Sequence, residues 1–307
     1  MDRLQAMQVF VQVADSGGFA RAAEALELPR ATVTSAVQQL ERRLGVRLLT
    51  RTTRRVALTE DGRACYRRCV QLLADFDEVE QLFAPPDAPP RGTLRVELPA
   101  RLARRIVVPA LPGFFEHYPD IRLQLSVGDK RVDPLREGLD VVIRVGGPAD
   151  ERCVQRRLGT LAQVNIAAPA YLERYGEPAD LAALAGHYVI GYRAAPDEEA
   201  QEWLYVDADG RERSLPMQSR LSVDNADAYR AACIAGLGLA QVPVYDTAAP
   251  IAAGRLRTLL PAFRPAPLAV CALYPQQRHG ARALRAFIEW MAELFAGNPL
   301  LSGAMRI

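Results

Sequence analysis

Residues 19–44 read FARAAEALELPRATVTSAVQQLERRL. Apolar side chains at Phe19, Ala22, Ala23 and Leu26 fall three and four apart, the spacing that puts them on one face of a short helix. Glu27 and Leu28 interrupt that pattern, and Pro29 suits the first turn of a following helix, where its missing N–H is harmless. Val33, Ala36, Val37, Leu40 and Leu44 then form a second apolar face. Two short helices joined by a tight turn make a helix-turn-helix. Burial of the second face leaves Arg30, Ala31, Thr34, Ser35, Gln38 and Gln39 on the outer side, near a helix N-terminus, where major-groove contact occurs. The candidate DNA-reading set on this helix is Arg30, Ala31, Thr32, Thr34, Ser35 and Gln38, with Arg30 its one strong bidentate donor to guanine.

Further along, Gly45 is placed to end the second helix, and residues 46–59 hold two strand-like pieces around a basic tip at Arg51, Arg54 and Arg55. Such a hairpin is a wing, whose arginines reach phosphate or the narrow minor groove. Between Met1 and Arg68 there are twelve arginines and seven acids, an excess of five positive charges, while the whole chain carries only +2. The remainder is therefore net acidic, and the basic end is the one suited to a polyanion. A solvated helix surface has the same composition, so the charge takes its meaning from the motif beside it. Next, Cys65, Cys69, Leu72, Phe76, Val79 and Phe83 recur four and three apart within residues 62–83, a heptad seam on one long amphipathic helix. Four prolines in residues 84–92 (APPDAPPRG) end that helix and favour an extended connector. A seam this short also fits one face packed on its own domain. Because the proline break leaves little of that domain to pack on, pairing with a second copy through Cys69, Leu72, Phe76 and Val79 is the favoured reading. Cys65 and Cys69 then serve as small core residues.

Together these pieces resemble the LysR family of bacterial regulators. The matching segments are Phe10-Val11-Gln12-Val13-Ala14 with residues 16–19, Arg21-Ala22-Ala23 leading to Leu26, Ala31-Thr32-Val33-Thr34, Leu40-Glu41 with Leu44-Gly45, Leu48-Leu49-Thr50-Arg51 and Leu58-Thr59-Glu60-Asp61-Gly62. Two positions depart from the family pattern. Glu27 stands where glycine is common, which predicts local backbone strain, and Pro29 stands where serine is usual, so base contacts of other members do not transfer. The resemblance covers nearly the whole chain and implies a multidomain α+β protein. A winged helix-turn-helix takes residues 1–61, and a linker helix with a proline hinge takes 62–90. An α/β two-lobed effector domain, similar to periplasmic solute-binding proteins of type 2, takes 91–307, with lobe one at 91–161 plus 268–307 and lobe two at 162–267. It implies transcription regulation rather than catalysis. Promoter DNA is the implied partner, with a second copy of the chain (a dimer, paired into a homotetramer) and RNA polymerase as a further candidate. No cofactor is implied beyond a small-molecule effector.

The residues past 91 read as α/β in their own right. Residues 93–98 alternate strictly, Pro99 ends that strand, and a helix pattern runs through Phe114 and Phe115 to a stop at Tyr118-Pro119. Further strand candidates are 122–127, 141–145, 158–167, 188–192, 220–223 and 268–274, with helices at 226–235 and 281–295. This alternation predicts a largely parallel sheet. The family resemblance continues in Asp120-Ile121, Gly138-Leu139-Asp140-Val141-Val142-Ile143-Arg144 and Ala235-Gly236-Leu237-Gly238-Leu239. It implies a ligand between the lobes, at strand C-termini and helix N-termini. Candidate lining residues are Pro99, Ala100 and Arg101 after the first strand, Gly128 and Asp129 after the second, and Arg144 and Gly146 after the third. Asp224 and Asn225 near a helix start, and Gln241 and Pro243, complete the set. Many family members carry Ser or Thr after the first strand to hold a carboxylate. Pro99-Ala100-Arg101 removes that argument for an acid effector, and Arg144 has an ion pair within its lobe as an alternative role.

Other classes find little support. Five scattered cysteines and three distant histidines give neither a disulfide framework nor metal-ligand spacing. Cys233, alone in the second lobe within an apolar helix stretch, argues against a redox pair there. Gly236-Leu237-Gly238 is too short for a dinucleotide fingerprint, and nothing suggests a Ser-His-Asp arrangement. No apolar run is long enough to span a bilayer, and the first residues lack a leader pattern, so a cytoplasmic location without a membrane partner is expected. A solute-capturing protein would account for the C-terminal region alone.

Overall fold

A computed structural model describes residues 2–51, 56–83, 85, 88–130, 132–133, 137–147, 152–193, 202–278, 281–298 and 301. Two compact units emerge, one built on the first 88 residues and the other starting at Pro89.

The first unit runs α1 (Arg3–Ser16), α2 (Phe19–Ala25), α3 (Arg30–Leu44), β1 (Leu49–Arg51), β2 (Val56–Leu58) and α4 (Glu60–Leu82). Asp2 caps α1 by accepting from the Gln5 amide at 2.7 Å. The core gathers Val9, Phe10, Val13, Ala22, Val33 and Val37, all buried. Gly45, at φ 71, ends α3 in the left-handed conformation that suits glycine, and its N–H donates to the Glu41 carbonyl at 2.9 Å. Leu44, expected on the buried face, is instead 48 % exposed, because as the last helical residue it lies beyond the face that Val33, Ala36, Val37 and Leu40 bury. β1 and β2 pair antiparallel, Leu49 opposite Leu58, and form the wing. Arg54 and Arg55 at its tip lie outside the described residues, as does the side chain of Arg51.

The α4 seam divides into two parts. Cys65, Tyr66, Cys69, Val70 and Leu73 pack into the core of the first unit, and Cys69 is 2 % exposed. Cys69, assigned by its spacing to a contact with a second copy, thus sits inside its own unit, since α1 supplies the apolar surface against which the start of α4 packs. Leu72, Phe76, Val79 and Phe83 remain exposed.

The second unit opens with β3 (Gly92–Leu98). A helical turn at Ala100–Leu102 and a π turn at Ala103–Val107 lead into α5 (Val108–His117), followed by β4 (Ile121–Val127), β5 (Val141–Val145), β6 (Cys153–Leu161) and β7 (Gln163–Ala167). Then come α6 (Pro169–Tyr175), β8 (Tyr188–Tyr192), β9 (Glu202–Val206), β10 (Glu212–Pro216), β11 (Gln218–Val223), α7 (Ala226–Ile234) and β12 (Ala240–Pro243). The chain finishes with α8 (Ala248–Ala252), β13 (Arg257–Leu259), β14 (Leu268–Pro275) and α9 (Arg282–Gly297).

Two lobes follow from the strand pairing. A five-stranded sheet in the order β4-β3-β5-β14-β6 carries one core, with Phe114 and Phe287 in edge-to-face contact at 5.7 Å between ring centroids. A three-stranded sheet, β12-β7-β13, and a parallel pair, β11-β8, carry the other. The expected single strand over 158–167 is two strands, β6 and β7, one in each lobe, with Ala162 at the crossing. The first sheet is mixed rather than largely parallel. β3 runs parallel to β4 and β5, whereas β14 is antiparallel to β5 and β6 because it returns from the other lobe. Gln163 Nε2 donates to the Ala266 carbonyl at 2.7 Å, joining the two crossing segments. Strand order reverses direction at β3, a topological switch point, and ligands in open α/β sheets bind outside the strand C-termini at such a point.

Candidate DNA interface and ligand cavity

Glu27, between α2 and α3, has φ 52, the strained left-handed backbone expected where a glycine is absent. Leu28 N–H donates back to the Ala23 carbonyl at 3.0 Å and closes the turn. Pro29 is the residue before α3 rather than part of its first turn; its carbonyl accepts from Thr32 and Val33 at 2.9 and 3.2 Å. Among the described residues no side chain caps α3, and Pro29 has no capping group to offer, so its first amides are left for another acceptor. Arg30, Ala31, Ser35 and Gln38 are exposed, and Thr32 and Thr34 are half-buried on the flanks. Glu41 ties this helix to the wing, accepting from the Leu48 and Leu49 amides at 2.8 and 3.2 Å. Thr59 joins the wing to α4, its hydroxyl donating to the Arg47 carbonyl at 2.7 Å and accepting from the Gly62 amide at 2.8 Å.

In the second unit a cavity of about 610 Å³ lies between the lobes. Of the residues expected to line it, Pro99, Arg101, Gly128, Asp129, Arg144, Gly146, Gln241 and Pro243 do so; Ala100, Asp224 and Asn225 do not. Those three serve neighbouring contacts instead. The Ala100 amide donates to Asp129 Oδ1 at 3.0 Å, Asn225 Nδ2 donates to Asp129 Oδ2 at 3.0 Å, and Asp224 pairs with Lys130 at 3.6 Å. Arg101 is 3 % exposed and forms ion pairs with Asp246 and, at 2.6 Å, with Asp227, both from the opposite lobe. Arg230 also approaches Asp246, at 3.5 Å, and burial with the nearby Arg101 pulls its guanidinium below the usual range. Arg144 donates to the Val132 carbonyl at 3.2 Å, and no carboxylate pairs with it among the described residues. Gln241 bridges elements of lobe two, donating to Asn165 and to the Leu204 carbonyl at 2.8 and 2.7 Å and accepting from the Leu204 amide at 3.0 Å. Burial pushes the Tyr245 phenol up to about 12 and also raises that of Tyr229, so both line the cavity as neutral hydroxyls.

Residues 4–63 match the model for the bacterial regulatory helix-turn-helix protein of the LysR family, and residues 87–296 match that for the LysR substrate binding domain. This chain belongs to the LysR family of transcriptional regulators. As a LysR-family protein it is a DNA-binding regulator and not an enzyme. It is 36 % identical over 292 residues to YhjC, an HTH-type transcriptional regulator of Escherichia coli K12, covering 95 % of this chain and 97 % of the relative. It is 37 % identical over 303 residues to an HTH-type transcriptional repressor of Pseudomonas aeruginosa, covering 97 % and 94 %. Among solved structures, CrgA, a LysR-type regulator from Neisseria meningitidis, matches at 30 % identity and a TM-score of 0.58, over 96 % of this chain and 99 % of that one. No described helix of this LysR-family chain is long and apolar enough to cross a membrane, and no cluster of three or more His, Cys, Asp or Glu among the described residues could hold a metal ion.

The sequence reading of this LysR-family protein missed several cavity residues. Trp203 and Leu204 belong to a β9-β10 hairpin that follows a stretch without apolar periodicity, and Tyr229 and Tyr245 lie at helix positions that look like core. Glu97, buried at the C-terminal end of β3, followed the alternation that could have placed it beside Pro99.

Proposed function

We propose that this regulator reads a dyad DNA site through α3 and the wing, and that a small molecule between the lobes sets how it does so. The supporting observation is the 610 Å³ cavity at the switch point of the β3 sheet, in a chain whose first unit presents an uncapped α3 with Arg30 exposed. Arg30, Ala31, Thr32, Thr34, Ser35 and Gln38 enter the major groove, and Arg51, Arg54 and Arg55 contact the backbone or minor groove. The winged helix-turn-helix, residues 1–61, is joined through the linker helix and proline hinge at 62–90 to the effector domain at 91–307. Leu72, Phe76 and Val79 pair α4 with its counterpart in a second copy; exposed apolar residues at this spacing need such a cover. Two dimers associate further. Ligand binding shifts the lobes, and with them the spacing of the paired recognition helices and the bend of the DNA. RNA polymerase is the proposed downstream partner, and the cytoplasm the proposed location.

A promoter fusion tests the effector arm. Across a panel of metabolites the wild type responds to at least one compound. Ala226→Trp, which fills the cavity rim while still binding DNA, does not respond. An equal response of both proteins contradicts the proposed site.

A further inference from the structure

Two segments cross between the lobes, one at Ala162 and one near Ala266, and Gln163 ties them together. Lobes joined by such a narrow hinge open and close unless something spans the cleft. Two side chains of lobe one span it, and both grip the first turn of α7 in lobe two. Asp129 divides its carboxylate between the lobes. Oδ1 accepts from the Ala100 amide of its own lobe at 3.0 Å, while Oδ2 accepts from the Ala226 amide at 2.8 Å and from Asn225 Nδ2 at 3.0 Å. Asn225 caps α7, its Oδ1 accepting from the Ala228 amide at 3.0 Å, and a negative charge beside it suits the positive end of that helix. Arg101 crosses the cleft with the opposite charge. Its guanidinium forks onto both oxygens of Asp246, with Nε donating to Oδ2 at 2.7 Å, and Nη1 donates at 2.6 Å to Asp227 in the first turn of α7. Arg104 reaches the same Asp227 oxygen at 2.9 Å.

These contacts differ in kind from a surface ion pair. Arg101 and Asp246 are both buried, and a fork of parallel N–H···O bonds fixes orientation as well as distance. Tyr245, which follows β12 of lobe two, packs into the core of lobe one beside them. Opening the lobes would return Arg101 and Asp246 to water and repay much of the attraction lost, so the contacts set an angle without locking it. We propose that lobe one clasps the first turn of α7 through Asp129 and Arg101, and that these two positioning residues set the angle between the lobes. The clasp is made entirely of the protein's own groups, so it stands or falls apart from the effector reading.

Pulsed electron paramagnetic resonance reads the lobe angle as a distance. Spin labels go on exposed positions of the two lobes, Glu116→Cys in α5 and Glu173→Cys in α6, in the full chain carrying Cys65→Ser and Cys153→Ser; Cys69, Cys233 and Cys271 are buried. Dilution with unlabelled chain confines the reading to one protomer. The labelled parent gives a single narrow distance. Arg101→Met leaves Asp246 buried with only Arg230, at 3.5 Å, for a cation, and opening hydrates that charge, so the distance shifts and broadens. Arg101→Met/Asp246→Leu removes the stranded charge and returns the distance toward that of the parent, an outcome that loss of packing alone would not produce. Asp129→Asn keeps the shape of the side chain but turns one acceptor into a donor facing an N–H, so it holds one lobe only, and the distance shifts again. Being isosteric and half-buried, that variant tests the clasp even where Arg101→Met does not fold. A parent distribution as broad as those of the variants, or distances unmoved in both Asp129→Asn and Arg101→Met, overturns the proposal.

Discussion

Gly62→Ala should loosen the wing and weaken DNA binding. A β carbon on Gly62 would lie 2.8 Å from the Leu48 carbonyl carbon and closer still to its oxygen. The oxygen contact sets the requirement: its relief to an ordinary separation of about 3.2 Å means an opening of roughly 1 Å or more between α4 and the wing. Neither side can yield freely. The Leu48 carbonyl accepts from the Thr59 amide at 3.0 Å, and the Leu48 amide is held by Glu41 at 2.8 Å. Overpacking costs about 1–3 kcal/mol. Loss of the Thr59 cap adds about 1 kcal/mol, and the helix preference of alanine over glycine returns about 1 kcal/mol. The net loss of roughly 1–3 kcal/mol lowers the unfolding midpoint of a unit this small by roughly 5–20 °C. Circular dichroism of the full chain measures that transition, and a gel-shift titration measures affinity for the site. Gly113→Ala is the control: nothing lies within 4 Å of its added β carbon, and it should stabilise α5 by about 1 kcal/mol. An unchanged midpoint with unchanged DNA affinity for Gly62→Ala would refute the geometry.

Arg30→Ala should cost about 1–3 kcal/mol on the specific site and far less on random DNA; equal losses on both in a competition gel shift would remove its base-reading role. Phe76, 44 % exposed on α4, anchors the proposed pairing, so Phe76→Asp should halve the mass seen by light scattering, and an unaltered mass would show that this face is no interface. Arg101→Met leaves Asp246 buried without its main cation and should cost about 3–5 kcal/mol, most of it recovered in the Arg101→Met/Asp246→Leu double variant. A double variant as unstable as the single one in urea unfolding would contradict that accounting. Burial pushes the Cys233 thiol up to about 12, so it should resist iodoacetamide at pH 8 until the protein unfolds; rapid labelling, read by mass spectrometry, would contradict its burial.

Local patterns carried far. The 33/36/37/40 spacing located the buried face of α3, alternation located β3, and the missing glycine at Glu27 foretold a left-handed backbone. Longer-range features were hidden. Arg101 reads as a free cation in sequence because its partners Asp227 and Asp246 lie 126 and 145 residues away. β6 and β7 merge into one apolar run because only Ala162 separates the lobes there. The heptad on α4 gives no hint that Cys69 is buried in the core of the first unit while Leu72 is exposed, since the two share one periodicity and differ only in what folds against them. Trp203 escapes for a similar reason: its place in the cavity wall is visible only once the hairpin is seen against the cavity.

The central claim is specific DNA recognition through α3, and affinity selection from sheared genomic DNA tests it most directly. The purified full chain should enrich a small set of sequences with two-fold symmetry, and Arg30→Ala should lose that enrichment while keeping its fold by circular dichroism. Enrichment of no sequence above the level of Arg30→Ala would contradict the account.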